Sequence, residues 1–247
     1  MKNIVSQNER ELLNEKIENL LNEQSRLVQK STHPIVKAII GTFPFAGGVS
    51  SLLGDYAQKR QEYRLRKFLF ETAQQFESLK IKLEDKIDQD YLLTDEFCAV
   101  VETLLIEASR TADKKKIDFM KSFLISCTIL DKPDTTWKDL FLNYIKQLSG
   151  FHLVILVSFA KIQGKLPSGD RTGGVVIKNT IPLSIHDLID HSDCTDIILI
   201  RTICNDLSNL GLIIDWKFLR SDNTKAQEKY CLSDSGLHFS DFLLKST

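Results

Sequence analysis

Apolar residues recur every three or four positions along most of this chain, and that period predicts helices. Residues 6–31 carry Leu13, Ile17, Leu20, Gln24 and Leu27 at spacings of 4, 3, 4 and 3, a short heptad seam with one polar core position. Two heptads are too few for a stable coiled coil alone, so this amphipathic helix is expected to dock on its own protein or on a partner. Pro34 breaks the pattern. Ile39–Leu53, IIGTFPFAGGVSSLL, then runs for 15 residues without a charge and holds Pro44 and three glycines. It is too short and too broken to span a bilayer as one helix. Two readings stay open: a buried helix–turn–helix corner whose glycines allow close backbone approach, or an element that meets a membrane or partner through Phe43 and Phe45. No Gly-Lys-Ser/Thr follows the glycines, so it is not a phosphate loop.

A long helix is predicted from Ser51 to about Leu83, with Tyr56, Tyr63, Phe70, Ala73, Phe76, Leu79 and Leu83 as its apolar face. Its first half carries Lys59, Arg60, Arg64, Arg66 and Lys67. Glu62, Glu71, Glu77, Glu84 and Asp85 offset them, giving either a salt-bridged, solvated face or an anion-seeking patch. Thr94 precedes DEFCAVVETLLIEAS as an N-cap, with Asp95 and Glu96 at the positive end of the helix dipole. A further helix is expected over 113–130, ended by Pro133, and another over WKDLFLNYIKQLS, capped by Thr135 or Thr136 and stopped by Gly150. Residues 1–33 thus read as an N-terminal amphipathic helix, and 34–150 as a helical bundle.

Residues 151–247 differ. FHLVILVSFAKI reads as a buried helix, followed by a polar, glycine-rich loop and a short strand, VVIKN. Ser184 caps IHDLIDH; Asp193 or Thr195 caps DIILIRTICNDLSNL, which Gly211 ends. LIIDWKFL and KYCL read as strands around a polar tip, and SDSGLHFSDFLLK closes the chain as a helix. Three helices followed by a β-hairpin is the winged-helix order, a variant of helix-turn-helix. The expected fold class is therefore mainly α, an N-terminal helical bundle followed by a winged-helix-like C-terminal domain.

The segment YCLSDSGLHFSDFL is similar to the Leu-Ser/Thr-x-x-Gly-x-x-Phe tail that closes many bacterial winged-helix domains. The whole arrangement, helical body then winged helix, resembles bacterial proteins of the abortive-infection alpha type. That resemblance implies a role in defence against phage. It carries no catalytic motif across.

Composition narrows the function classes. Only 11 glycines and 5 prolines in 247 residues argue against a sandwich or barrel, and 14 phenylalanines supply a large apolar payload. Acids and bases nearly cancel, at 33 and 32, and they do so within each half, so neither half has the basic excess of a non-specific nucleic-acid binder. Five widely spaced cysteines without a CxxC pair are expected to be reduced, and MKNIVSQNERELLNEK lacks a signal-peptide core, so the expected location is cytoplasmic.

The search for chemistry gives little. His186, Asp187, Asp190, His191, Asp193 and Cys194 are metal-ligand types, with His186/Asp190 and Asp187/His191 at i, i+4. No second cluster lies near to complete a site, so a capped, solvated helix is expected and no metal. Serines lack a Gly-x-Ser-x-Gly elbow. His152 reads as a capping or core histidine, Glu107 as an ion-pair partner of Arg110, and Glu102 as solvated. No catalytic residue, cofactor or small-molecule ligand is expected.

The leading expectation is a non-enzymatic effector acting through protein partners or self-association. A DNA-binding regulator is the alternative, with Arg201, Thr202, Asn205, Asn209, Lys217, Arg220, Lys225 and Lys229 as contacts. On the helix 196–210, however, only Arg201 is basic, and Asp196 and Asp206 would repel phosphate. A third reading is a membrane-perturbing effector that touches membrane or partner through Phe43, Phe45, Lys59, Arg60 and Arg64.

Overall fold

The computed structural model describes residues 7–31, 55–83, 86–129, 134–164, 182–192, 194–216 and 228–244. These are mainly helical, with nine α-helices and one small three-stranded sheet among the described residues. The chain divides into two compact units, Met1–Lys146 and Gln147–Thr247. The expected corner or insertion element at 39–53, including Phe43 and Phe45, and the expected strand VVIKN lie outside the described residues.

In the first unit, α1 (Gln7–Lys30) buries Leu13, Ile17, Leu20 and Gln24, four of the five heptad positions read from the sequence, while the fifth, Leu27, is half-buried near the helix end. Their cover is α2 (Asp55–Leu83). Lys59 Nζ donates to Asn14 Oδ1 at 3.0 Å, Gln24 Nε2 to the Arg66 carbonyl at 3.0 Å, and Ser31 Oγ to Glu77 Oε2 at 2.7 Å. Partner numbers rise together along both helices, so α1 and α2 run parallel.

The buried face of α2 differs in part from the expected one. Of the expected face Phe70, Ala73 and Phe76 are buried, and Leu65, Phe68, Leu69 and Thr72 are buried with them, whereas Tyr56, Tyr63 and Leu79 are only half-buried. Tyr56 and Tyr63 stand seven residues apart, but α3 and α4 pack on the adjoining stripe, where Leu65, Phe68 and Leu69 lie.

A 3₁₀ turn, Tyr91–Leu93, leads into α3 (Asp95–Arg110), whose cap is Thr94, its hydroxyl accepting from the Phe97 amide at 3.2 Å. Next comes α4 (Lys114–Cys127), buried at every position from Met120 to Cys127. It stops before the expected Leu130. The Thr128 hydroxyl turns back to the Ile125 carbonyl, and Ile129 forms an isolated antiparallel bridge with Ile87, so tertiary pairing ends the helix ahead of Pro133. For α5 (Thr135–Gln147) the cap is Asp134, not Thr135 or Thr136: its carboxylate accepts from the Trp137 amide at 3.0 Å.

In the second unit, α6 (Gly150–Gly164) is an apolar helix. The strand β1 (Leu183–Ser184) is too short to read from sequence and passes directly into α7 (Ile185–His191). Then follow α8 (Ile197–Asn209), β2 (Ile213–Asp215), β3 (Lys229–Leu232) and α9 (Asp234–Leu244). The cap of α8 is Asp196, not Asp193 or Thr195, and its carboxylate takes the Ile198 and Leu199 amides. The sheet order is β1-β3-β2, all antiparallel, with Leu183 opposite Tyr230 and Ile214 opposite Cys231.

Two glycines shape this unit. Gly211, at φ +71°, ends α8: its amide reaches the Ser208 carbonyl, and the Leu212 amide reaches that of Leu207, which is the Schellman closure. Gly236 lies so close to the chain that a Cβ there would sit 1.9 Å from the Leu212 carbonyl oxygen. The tail motif thereby acquires a physical meaning. Ser233 caps α9 by accepting the Gly236 amide and donates to the Gly211 carbonyl, Gly236 permits the close approach, and Phe239 fills the core.

Candidate functional site

The best-defined surface feature of the second unit is the outer face of α8. Ile200, Ile203, Cys204 and Leu207 form its buried side. The opposite side carries Ile198, Thr202, Asn205 and Asn209 at spacings of 4, 3 and 4, with Arg201 beside them, all exposed. Its first turn is apolar although it faces water: Ile197, Ile198 and Leu199 are 40%, 72% and 44% exposed. Three consecutive exposed aliphatics cannot all be explained by helix periodicity, since one side of each turn suffices for the core.

The electrostatics of this face are balanced, not basic. Arg201 Nε donates to Glu228 Oε2 at 2.7 Å, and this hydrogen bond, helped by the nearby carboxylate charge, holds the guanidinium firmly protonated. Asp196 caps the leading end. Asp206 Oδ2 lies 3.3 Å from His152 Nε2, and the Tyr230 hydroxyl donates to Asn205 Oδ1 at 3.4 Å. Of the expected DNA contacts, Arg201, Thr202, Asn205 and Asn209 share this face. Lys229 is half-buried on β3, while Lys217, Arg220 and Lys225 lie outside the described residues.

The acidic-histidine segment has a structural use. The Ser184 amide and hydroxyl both donate to Asp187 Oδ2 at 2.7 Å, and the Asp187 amide returns to Ser184 Oγ at 3.3 Å, a reciprocal capping box. The Ser184 hydroxyl bond, opposed by partial burial and reinforced by the Ser184 amide, keeps the Asp187 carboxyl below the usual carboxylate range. His191 Nδ1 lies 2.9 Å from the Asp187 carbonyl. Among the described residues no group of three or more His, Cys, Asp or Glu side chains could hold a metal ion. Asp193 is outside them.

One constellation could not be read from the sequence. His152 Nδ1 is 2.7 Å from Ser149 Oγ, while its Nε2 faces Asp206. The three types are those of a nucleophilic triad, but the serine hydroxyl also accepts the His152 amide and so serves as the α6 cap. The group acts as a latch between α6 and α8, joined by residues 54 apart.

A second such group lies in the first unit. Lys138 is buried, pairs with Glu96, and holds its ammonium 4.3 Å from the centre of the Tyr91 ring. The Tyr91 and Thr135 hydroxyls also donate to Glu96. Burial would raise the Glu96 carboxyl, but the Lys138 and Thr135 hydrogen bonds outweigh it and hold that carboxyl below its usual range. A signal existed: Lys138, Phe141 and Ile145 fall at i, i+3, i+7, which puts a lysine on the core stripe of α5. Lys59, Arg60 and Arg64 all lie on the first half of α2, but Lys59 is turned to Asn14 of α1, and only Arg60 of the three is exposed.

No protein-family model, no curated protein and no solved structure matches this chain.

Proposed function

We propose that the second unit is a winged-helix domain whose α8 face docks a protein, in a non-enzymatic effector. Support for the fold reading comes from the order α6, β1, α7, α8, β2, β3 and the sheet order β1-β3-β2, in which β2 and β3 are the arms of the wing. One observation favours protein over DNA. The leading turn of α8, which would enter a groove first, presents Ile197, Ile198 and Leu199 behind the Asp196 carboxylate. Apolar area stripped of cations suits the centre of a protein interface and offers phosphate nothing.

A photo-crosslinking side chain placed at Ile198 in the native host cell tests this. A discrete protein adduct that disappears in a Leu199→Asp background is expected; crosslinks to nucleic acid, or none, defeat the reading.

The DNA reading rests on Arg201, Thr202, Asn205 and Asn209 sharing the exposed face, since these types can address base edges. Binding of duplex DNA at low salt in a gel shift, abolished by Asn205→Ala, would establish it in place of protein docking. The resemblance to abortive-infection proteins adds phage defence as the setting. Expression of the chain should lower phage plating efficiency, and Ile198→Asp should restore it.

A further inference from the structure

We infer that the outward stripe of α2, Tyr56–Arg60–Tyr63–Arg64–Lys67, is a docking surface for the anionic face of a phospholipid bilayer. The stripe follows from the fold: α2 turns Leu65, Phe68, Leu69 and Phe76 into the unit and leaves the opposite side to these five residues, of which Arg60 and Lys67 are exposed and Tyr56, Tyr63 and Arg64 half-buried. They span 12 positions of one helix, about 18 Å at the α-helical rise.

The charges on it are incompletely neutralised. Arg60 packs on the Tyr56 ring at 5.8 Å, and among the described residues neither Arg60 nor Arg64 has a carboxylate within ion-pair distance. Arg64 Nε is shielded from water and has no acceptor there. Lys67 meets Glu71 at 3.7 Å, but that carboxylate also serves Lys121 at 3.0 Å, so it neutralises neither fully. Asp118 also engages Lys121, and Glu62 is turned to Arg66 on the other flank.

Three observations select a bilayer over a polyanion. The sequence immediately before α2, 39–53, is uncharged and largely apolar, so apolar and cationic signals adjoin as they do in proteins that rest on membranes. Two tyrosines stand among the cations, and their amphipathic rings suit the headgroup level. Three cations in a chain of net charge −1 are fewer than the roughly six to ten phosphate contacts of a salt-sensitive duplex binder, but they are enough for a weak headgroup contact. Among the described residues no helix is long and apolar enough to cross a membrane, so the contact is with the surface.

Flotation of the full chain with phosphatidylcholine vesicles, with and without phosphatidylglycerol, tests this. Recovery should require phosphatidylglycerol and fall as salt rises. The double change Arg60→Glu, Lys67→Glu should lower the partition coefficient by roughly 30-fold from the two lost attractions alone and further through the repulsion of two new carboxylates, while Arg60→Lys, Lys67→Arg retains it. Both variants should melt like the parent by circular dichroism, since neither position is buried. Ile198→Asp, in the other unit, should float like the parent, which separates this test from the docking role of α8. Flotation indifferent to phosphatidylglycerol or to charge reversal, no flotation at low salt, or binding to a single-stranded oligonucleotide in its place would overturn the assignment.

Discussion

Gln24 of α1 donates from its side-chain amide to the main-chain carbonyl of Arg66 on α2, 3.0 Å away, at the one polar position in an otherwise aliphatic seam. A polar group at such a position fixes register at some cost in stability. Here it aligns two parallel helices. Gln24→Ala should cost about 1 kcal/mol in urea unfolding. Gln24→Leu should be close to neutral, because it removes the buried polar group along with its bond. If Leu is as damaging as Ala, the hydrogen bond is not what the site supplies.

Gly236→Ala should be among the most destabilising small substitutions in the second unit. Its Cβ would meet the Leu212 carbonyl oxygen at 1.9 Å, backbone against backbone, so relief requires shifting α9 off the β2 entry. A loss on the order of 3 kcal/mol is expected. Gly211→Ala offers the contrast: nothing lies near its added Cβ, and only the left-handed φ is strained, so about 1 kcal/mol should be lost. Thermal melts of the two variants check the ranking.

Lys138→Met should destabilise by roughly 1–3 kcal/mol, less than breaking a fully buried pair because the Glu96 side chain is 32% exposed. The pH dependence has a definite sign. The folded Glu96 carboxyl sits below its ordinary range, so the unfolded chain takes up the proton first as acid is added. This contribution is complete above the ordinary carboxylate pKa of about 4 and is lost as pH falls through the lower, folded value. Denaturant unfolding between neutral and acid pH should show a shallower acid loss in Lys138→Met than in the parent; parallel profiles would exclude the pair as its source.

The Ser149–His152–Asp206 latch should behave as a cap and not as a nucleophile. Ser149→Ala should cost about 1 kcal/mol, the usual value of a lost N-cap. Asp206→Asn should cost less, since its carboxylate reaches solvent. A fluorophosphonate probe should leave Ser149 unlabelled, and stoichiometric labelling detected by mass spectrometry would contradict the structural role.

By itself the sequence determined the helices, the heptad positions Leu13, Ile17, Leu20 and Gln24, and the stops or caps at Thr94, Ser184 and Gly211. These are short-range properties: amphipathic period and capping chemistry act within one or two turns. Tertiary structure decided that α1 and α2 run parallel, that Leu65 and Phe68 rather than Tyr56 and Tyr63 face inward, that β1 joins the sheet, and that Lys138 finds Glu96. An apolar stripe states that something must cover it but not what. The partners here stand about forty or more residues apart, and only long-range packing could choose among them.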